Sequence, residues 1–155
     1  MVDFNLSLNL ESVNSAYPAP PLAVEPETPV RDVFALLKAQ DRGSVLICQE
    51  NVVVGIFTER DALGMMARDA DLSVPIRTVM VPNPVSLRSD DTVGEAIRKM
   101  SAGGYRRMPI LDDSNQPIGM AAVTGIVHYL VEHFPEAVYN LPPDPDPITH
   151  EREGA

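Results

Sequence analysis

The chain has 155 residues, with 22 carboxylates against 12 basic side chains and a formal net charge of −10. That length holds one compact domain, or two small halves sharing a core, but not two independent enzyme domains. The acidic excess argues against a basic face that wraps a phosphate backbone, so no nucleic acid partner is expected, although a few arginines in one cleft can still hold a small phosphorylated ligand.

The opening MVDFNLSLNLESV has no basic segment followed by an apolar one, and residues 1–11 read as an N-terminal arm. Nowhere do about eighteen apolar residues run together. Neither a signal peptide nor a membrane span is expected, and the default location is cytoplasmic. In LAVEPETPVRDVFALLKAQ (22–40), Val30, Val33, Phe34 and Leu37 recur at helical spacing behind a Thr28 cap and the first-turn Pro29. SVLICQ and VVVGIFT then read as a hairpin of β-branched strands. The single cysteine, Cys48, lies within that hairpin; it can form neither an intramolecular disulfide nor a multi-cysteine metal site and reads as a buried, inert thiol. Ala62, Leu63, Met66 and Ala67 supply the stripe of a second helix, and SVPIRTVMVPNP, with three prolines, reads as a linker.

The pattern then returns. VSLRSDDTVGEAIRKMSAG (85–103) aligns without a gap on 22–40, with Val93, Ala96, Ile97 and Met100 on the helical stripe and Asp91 at the cap. RMPILD and PIGMAAV form the second hairpin, and Ile126, Val127, Leu130, Val131 and Phe134 the last helix. Each copy therefore reads strand, helix, strand, strand, helix, giving an α/β (α+β) fold with repeats at 12–73 and at 74–135, the latter including the linker. The tail, 136–155, is rich in proline and charge and is expected to be disordered. Neither copy alone buries enough surface, so the two are expected to pack on each other.

GIFTERDAL (55–63) carries a possible chemistry. Gly55 allows a close backbone approach, and Thr58 and Asp61 fall three residues apart at a strand-to-helix junction, on one face of the first turn. A helix N-terminus offers free N–H groups to a phosphate, and an aspartate there can accept two sugar hydroxyls. The same residues also suit a plain helix cap, with Thr58 as N-cap and Glu59 and Asp61 favoured by the dipole.

The repeat, with IRTVMVPNPVSLRSDDTVGEAIRKM, YRRMPILDD and GIFTERDAL, resembles a tandem pair of cystathionine-β-synthase-type (CBS) domains, a Bateman module, over about residues 12 to 135. The resemblance implies two pseudo-twofold-related β-α-β-β-α repeats packed through their sheets, with a cleft between them. It also implies an adenosine ligand (AMP, ADP, ATP or S-adenosylmethionine, with or without magnesium) that regulates a separate partner. Asp61 would accept from the ribose hydroxyls, and Thr58 would donate toward ribose or phosphate. Arg106 and Arg107 would meet the phosphates, and Ala19, Pro20, Leu22 and Val45 would line the adenine slot.

The second copy departs from the pattern: Ala122 replaces the hydroxyl and Gly125 the carboxylate, while Thr124 is one residue out of register. One intact site is expected, and one that is empty or binds something else. The family commonly pairs into homodimers through its helices, and the apolar last helix suits such a face. No serine or cysteine sits in a nucleophile setting, so no enzyme activity and no catalytic cofactor are expected. His128 and His133 lie roughly 140° apart on their helix, which does not make a zinc pair. The alternative to a sensor is a dimerisation or scaffold module with a vestigial cleft; a weaker third reading is a subunit of a nucleotide or one-carbon enzyme.

Overall fold

The computed structural model describes residues 7–134. The proline-rich tail, and the first six residues of the arm, lie outside the described residues. The elements are β1 (Ala23–Val24), α1 (Val30–Gln40), β2 (Ser44–Gln49), β3 (Val52–Thr58), α2 (Glu59–Ala67), β4 (Val81–Pro82), β5 (Leu87–Arg88), α3 (Val93–Gly103), β6 (Arg107–Leu111), β7 (Pro117–Ala122) and α4 (Val123–His133). The first sheet has the order β1-β2-β3-β4 and the second β5-β6-β7. In each, a short strand pairs in parallel with the first strand of an antiparallel hairpin. The fold is thus the mixed α+β arrangement of two repeats anticipated from the periodicity.

The helix starts differ in detail from the expected caps. Pro29, not Thr28, is the N-cap of α1, and no side chain caps it. Its first amides are taken by backbone instead: Val30 N donates to Val74 O at 3.0 Å and Arg31 N to Leu72 O at 2.9 Å. In α3 the N-cap is Thr92, not Asp91. Thr92 Oγ1 accepts from Glu95 N at 3.2 Å, and Glu95 Oε2 accepts from Thr92 N at 2.8 Å, a reciprocal capping box. Asp91 instead accepts from Arg88 N at 2.8 Å.

Two cores result, and the chain crosses between them. Beneath the first sheet lie Val30, Val33, Leu37, Val45, Ile47, Phe57 and Met65, joined by Ile76 from the connecting segment. The second core is built by β5 to β7, α3 and α4, but Leu8, Val13 and Ala16 from the start of the chain complete it. Backbone bonds pin this segment: Val13 N donates to Asp91 O, Val93 N to Glu11 O, and Ala19 and Met120 exchange a pair, all at 2.9 Å. At its far end the Tyr17 hydroxyl donates to Glu132 on α4, which raises the Tyr17 pKa and lowers that of Glu132. Both sides of the boundary expected at residue 12 therefore pack in the second repeat.

A third cluster joins the sheets: Leu46 and Ile56 of the first meet Met120 of the second, with Ala19, Cys48 and Val53 against them. Along β2 the side chains alternate between their own helices (Val45, Ile47) and the facing sheet (Leu46, Cys48), which is why SVLICQ is apolar on both faces. Burial raises the Cys48 thiol pKa, which lowers its thiolate fraction and its reactivity. No helix among the described residues is long and apolar enough to cross a membrane.

Val13 is fully buried. Val13→Ala is expected to cost about 2 kcal/mol in urea unfolding, from two lost methyl groups and the cavity they leave. An unchanged midpoint would show that the crossing segment adds nothing to the second core.

Candidate functional site

A cavity of about 370 Å³ opens where the two repeats meet, within the size range of small-molecule sites. The end of β3 and the first turn of α2 supply Thr58, Glu59, Arg60 and Asp61; the loop before β6 supplies Tyr105 and Arg106, and β6 itself Arg107. Four of the residues singled out in the sequence, Thr58, Asp61, Arg106 and Arg107, thus line one cavity, two from each repeat. Its apolar wall comes from Ile56, Val81, Pro84 and Val85.

Thr58 is the N-cap of α2. Asp61 Oδ2 accepts from Thr58 N at 2.9 Å and from Thr58 Oγ1 at 3.1 Å. Asp61 therefore serves the helix cap, and one of its oxygens is left to accept from the cavity. The guanidiniums of Arg60, Arg106 and Arg107 make no ion pair or hydrogen bond with any described residue. Three uncommitted cations against two carboxylates make this cleft suited to an anion within an acidic protein.

The other expected site residues lie elsewhere. Gly55 is buried and pairs with Pro82, and a Cβ on it would come within 2.3 Å of Met80 Sδ. Its small size admits the crossing segment, not a ligand. Val45 is fully buried in the first core, and Leu22 packs against that core. Ala19 packs in the sheet-to-sheet cluster, and the exposed Pro20 gives its carbonyl to Arg42 Nη2 at 2.6 Å. None of the four lines the cavity. The wall missed by the sequence reading is residues 81–85, the counterpart of 18–22 in the other copy. The repeat alignment contained that signal, since Leu22 stands opposite Val85, but not the crossing that exchanges the two segments.

The pseudo-symmetric second cleft lacks both halves of this constellation. Ala122 and Gly125 stand in place of Thr58 and Asp61, and Gly43 and Ser44 in place of Arg106 and Arg107. Glu59 N donates to Gly43 O at 3.1 Å and Val123 N to Arg106 O at 3.0 Å, the same bond in both repeats, which fixes this correspondence. A Cβ on Gly125 would lie 2.7 Å from Ala16 O and 3.0 Å from Tyr17 O, so backbone of the crossing segment fills the place of a side chain. Among the described residues no three His, Cys, Asp or Glu side chains gather as metal ligands. His128 Nε2 lies 3.1 Å from Glu132, and the His133 ring stacks on Tyr129.

Two stretches, residues 15–68 and 76–132, match the CBS domain family. The chain belongs to that family. Among curated relatives, a CBS domain-containing protein of Bacillus subtilis, YhcV, is 27% identical over 115 residues, 74% of this chain and 81% of its own length. An uncharacterised 17.7 kDa protein of Acidianus ambivalens is 27% identical over 110 residues, 70% of this chain and 66% of its own length. Solved structures share the fold. A CBS domain protein from Pyrobaculum aerophilum, complexed with AMP, is 19% identical, covers 78% of this chain and 98% of its own, and has a TM-score of 0.70. CBSX2 of Arabidopsis thaliana, also in complex with AMP, is 19% identical over 79% of this chain and 97% of its own, with a TM-score of 0.68. A third CBS domain pair, in complex with 5-methylthioadenosine and S-adenosyl-L-methionine, is 19% identical over 79% and 98%, with a TM-score of 0.71.

Because Asp61 caps α2 as well as facing the cavity, Asp61→Ala is expected to lower stability by about 1 kcal/mol in urea unfolding, the value of a cap acceptor. Asp61→Asn keeps an acceptor for Thr58 and is expected to retain at least half of that. Equal stability of wild type and Asp61→Ala would show that the cap bond carries no weight.

Proposed function

We propose that this protein is a regulatory module that binds one adenosine compound in the cleft between its CBS repeats and signals its presence to a separate partner. The observation that carries the reading is the convergence of Thr58 and Asp61 from one repeat with Arg106 and Arg107 from the other on a single cavity. The ligands of the similar solved structures, AMP, 5-methylthioadenosine and S-adenosyl-L-methionine, all contain adenosine and support that class.

In this reading Asp61 accepts from the ribose hydroxyls, while Thr58 and the α2 N-terminus face the 5′ substituent. The base lies against Val81, Pro84 and Val85, in place of the expected Ala19, Pro20, Leu22 and Val45. The forked guanidiniums of Arg106 and Arg107 take the phosphate. A ligand held by both repeats binds tightest at one angle between them and so shifts the population toward that angle, which a partner can read.

A thermal-shift titration with AMP, ADP, ATP, S-adenosylmethionine and adenosine, with and without magnesium, tests this. A ligand at a hundred times its Kd adds about 2.7 kcal/mol to stability. A saturable shift for at least one of the compounds, lost in Asp61→Asn, is the expected result; no shift with any of them in folded, nucleotide-free protein would overturn the reading. Arg107→Ala is expected to weaken AMP by about tenfold, the value of a charge-assisted contact, and adenosine hardly at all.

A second reading stands beside the first. An apolar groove between α3 and α4, lined by Ile97, Met100, Ile126, Val127 and Leu130, leaves Val127 half exposed. Two copies pairing through this face would bury it. Tyr105 and Gly104 line both this groove and the cleft, which would place the ligand's neighbours at the dimer face. Val127→Glu is expected to halve the mass in sedimentation equilibrium; an unchanged mass would exclude pairing through this groove.

A further inference from the structure

Gly43 precedes β2 in the first repeat, and nothing in its own backbone calls for glycine, since its φ lies outside the left-handed region. What it lacks is occupied from the other repeat. A Cβ on Gly43 would lie 2.5 Å from Nη2, 2.8 Å from Cζ and 3.0 Å from Nη1 of Arg107. The flat guanidinium of Arg107, which has no ion-pair or hydrogen-bond partner among the described residues, is thus laid against the bare α-carbon of Gly43 on the edge of the cleft. Such a cation, placed by packing and not by a carboxylate, keeps its full donor capacity for a ligand. Position 43 corresponds to Arg106 in the second repeat, so a long side chain is compatible with this point of the fold.

We propose that Gly43 is a specificity-determining residue: it holds open the seat of Arg107 and so sets the cleft's preference for a phosphorylated adenosine compound over an uncharged one. The inference rests on the function proposed above and adds a residue that touches no ligand itself. The nearest atoms a new methyl group would meet are the end of a flexible side chain, so Gly43→Ala displaces the guanidinium and leaves the fold intact.

The test is titration calorimetry of AMP and of adenosine with wild type, Gly43→Ala, Arg107→Ala and the double variant, with urea unfolding of each as a control for folding. Gly43→Ala is expected to weaken AMP by about tenfold, the worth of one charge-assisted contact, and adenosine by less than about twofold. In the Arg107→Ala background the second substitution is expected to change nothing, because the two act through one group. AMP binding by Gly43→Ala equal to wild type, equal losses for AMP and adenosine, or a loss that persists in the Arg107→Ala background would each overturn the role of Gly43 while leaving the adenosine site standing. No binding of AMP by wild type would overturn this inference, and no binding of adenosine either would remove the site itself.

Discussion

The contact between the two sheets is the constraint on which the rest depends. Each repeat has too few helices to cover both faces of its strands, so Leu46 and Ile56 on one sheet must bury themselves against Met120 on the other. Burial of side chains of this size is worth about 1.5–3 kcal/mol each, comparable with a sizeable fraction of a domain's whole stability. The crossing segments reinforce it, since Ile76 completes the first core and Leu8, Val13 and Ala16 the second. Neither core is complete without chain from outside its own repeat, which favours unfolding of the two as one unit.

The same packing makes the cleft. The sheet contact is central, so the strand ends at its margin cannot close on one another. There the first turn of α2 faces the start of β6 across the space bounded by residues 81–85. Pseudo-twofold symmetry would provide two such clefts, but the two copies differ at the positions that line them. The hydroxyl, the carboxylate and both arginines belong to one cleft, while the other has alanine, two glycines and a serine at those positions. Three arginines, Arg60, Arg106 and Arg107, line this cleft in a protein of net charge −10.

The hairpins and the helices α1 and α3 were legible because both repeats carry the same hydrophobic periods, whereas the stripe expected for α2 failed: Leu63 and Met66 are exposed, and Met65 is the buried side chain. The Thr58 and Asp61 pair was legible for the same reason that made it ambiguous: a helix N-terminus wants an acceptor whether or not a ligand is present, and Asp61 meets Thr58 at 2.9 Å. What could not be read was the exchange of segments between repeats. It put Val81, Pro84 and Val85 in the cleft wall where Ala19, Pro20, Leu22 and Val45 were expected, and it gave Gly55 its reason in Met80, a side chain 25 residues away in sequence. The cap of α3 was in the sequence as Thr92 and Glu95, a threonine and a glutamate at capping-box spacing, although Asp91 beside them offered a simpler candidate.

Stoichiometry tests the central claim most directly, because a CBS pair with both clefts intact and one with a single equipped cleft differ in a whole number. Equilibrium dialysis of radiolabelled AMP against nucleotide-free protein of known concentration should saturate at one molecule per chain. Saturation at two would show that the cleft bearing Ala122 and Gly125 is a working site, and the absence of any saturable binding would remove the adenosine site at Asp61.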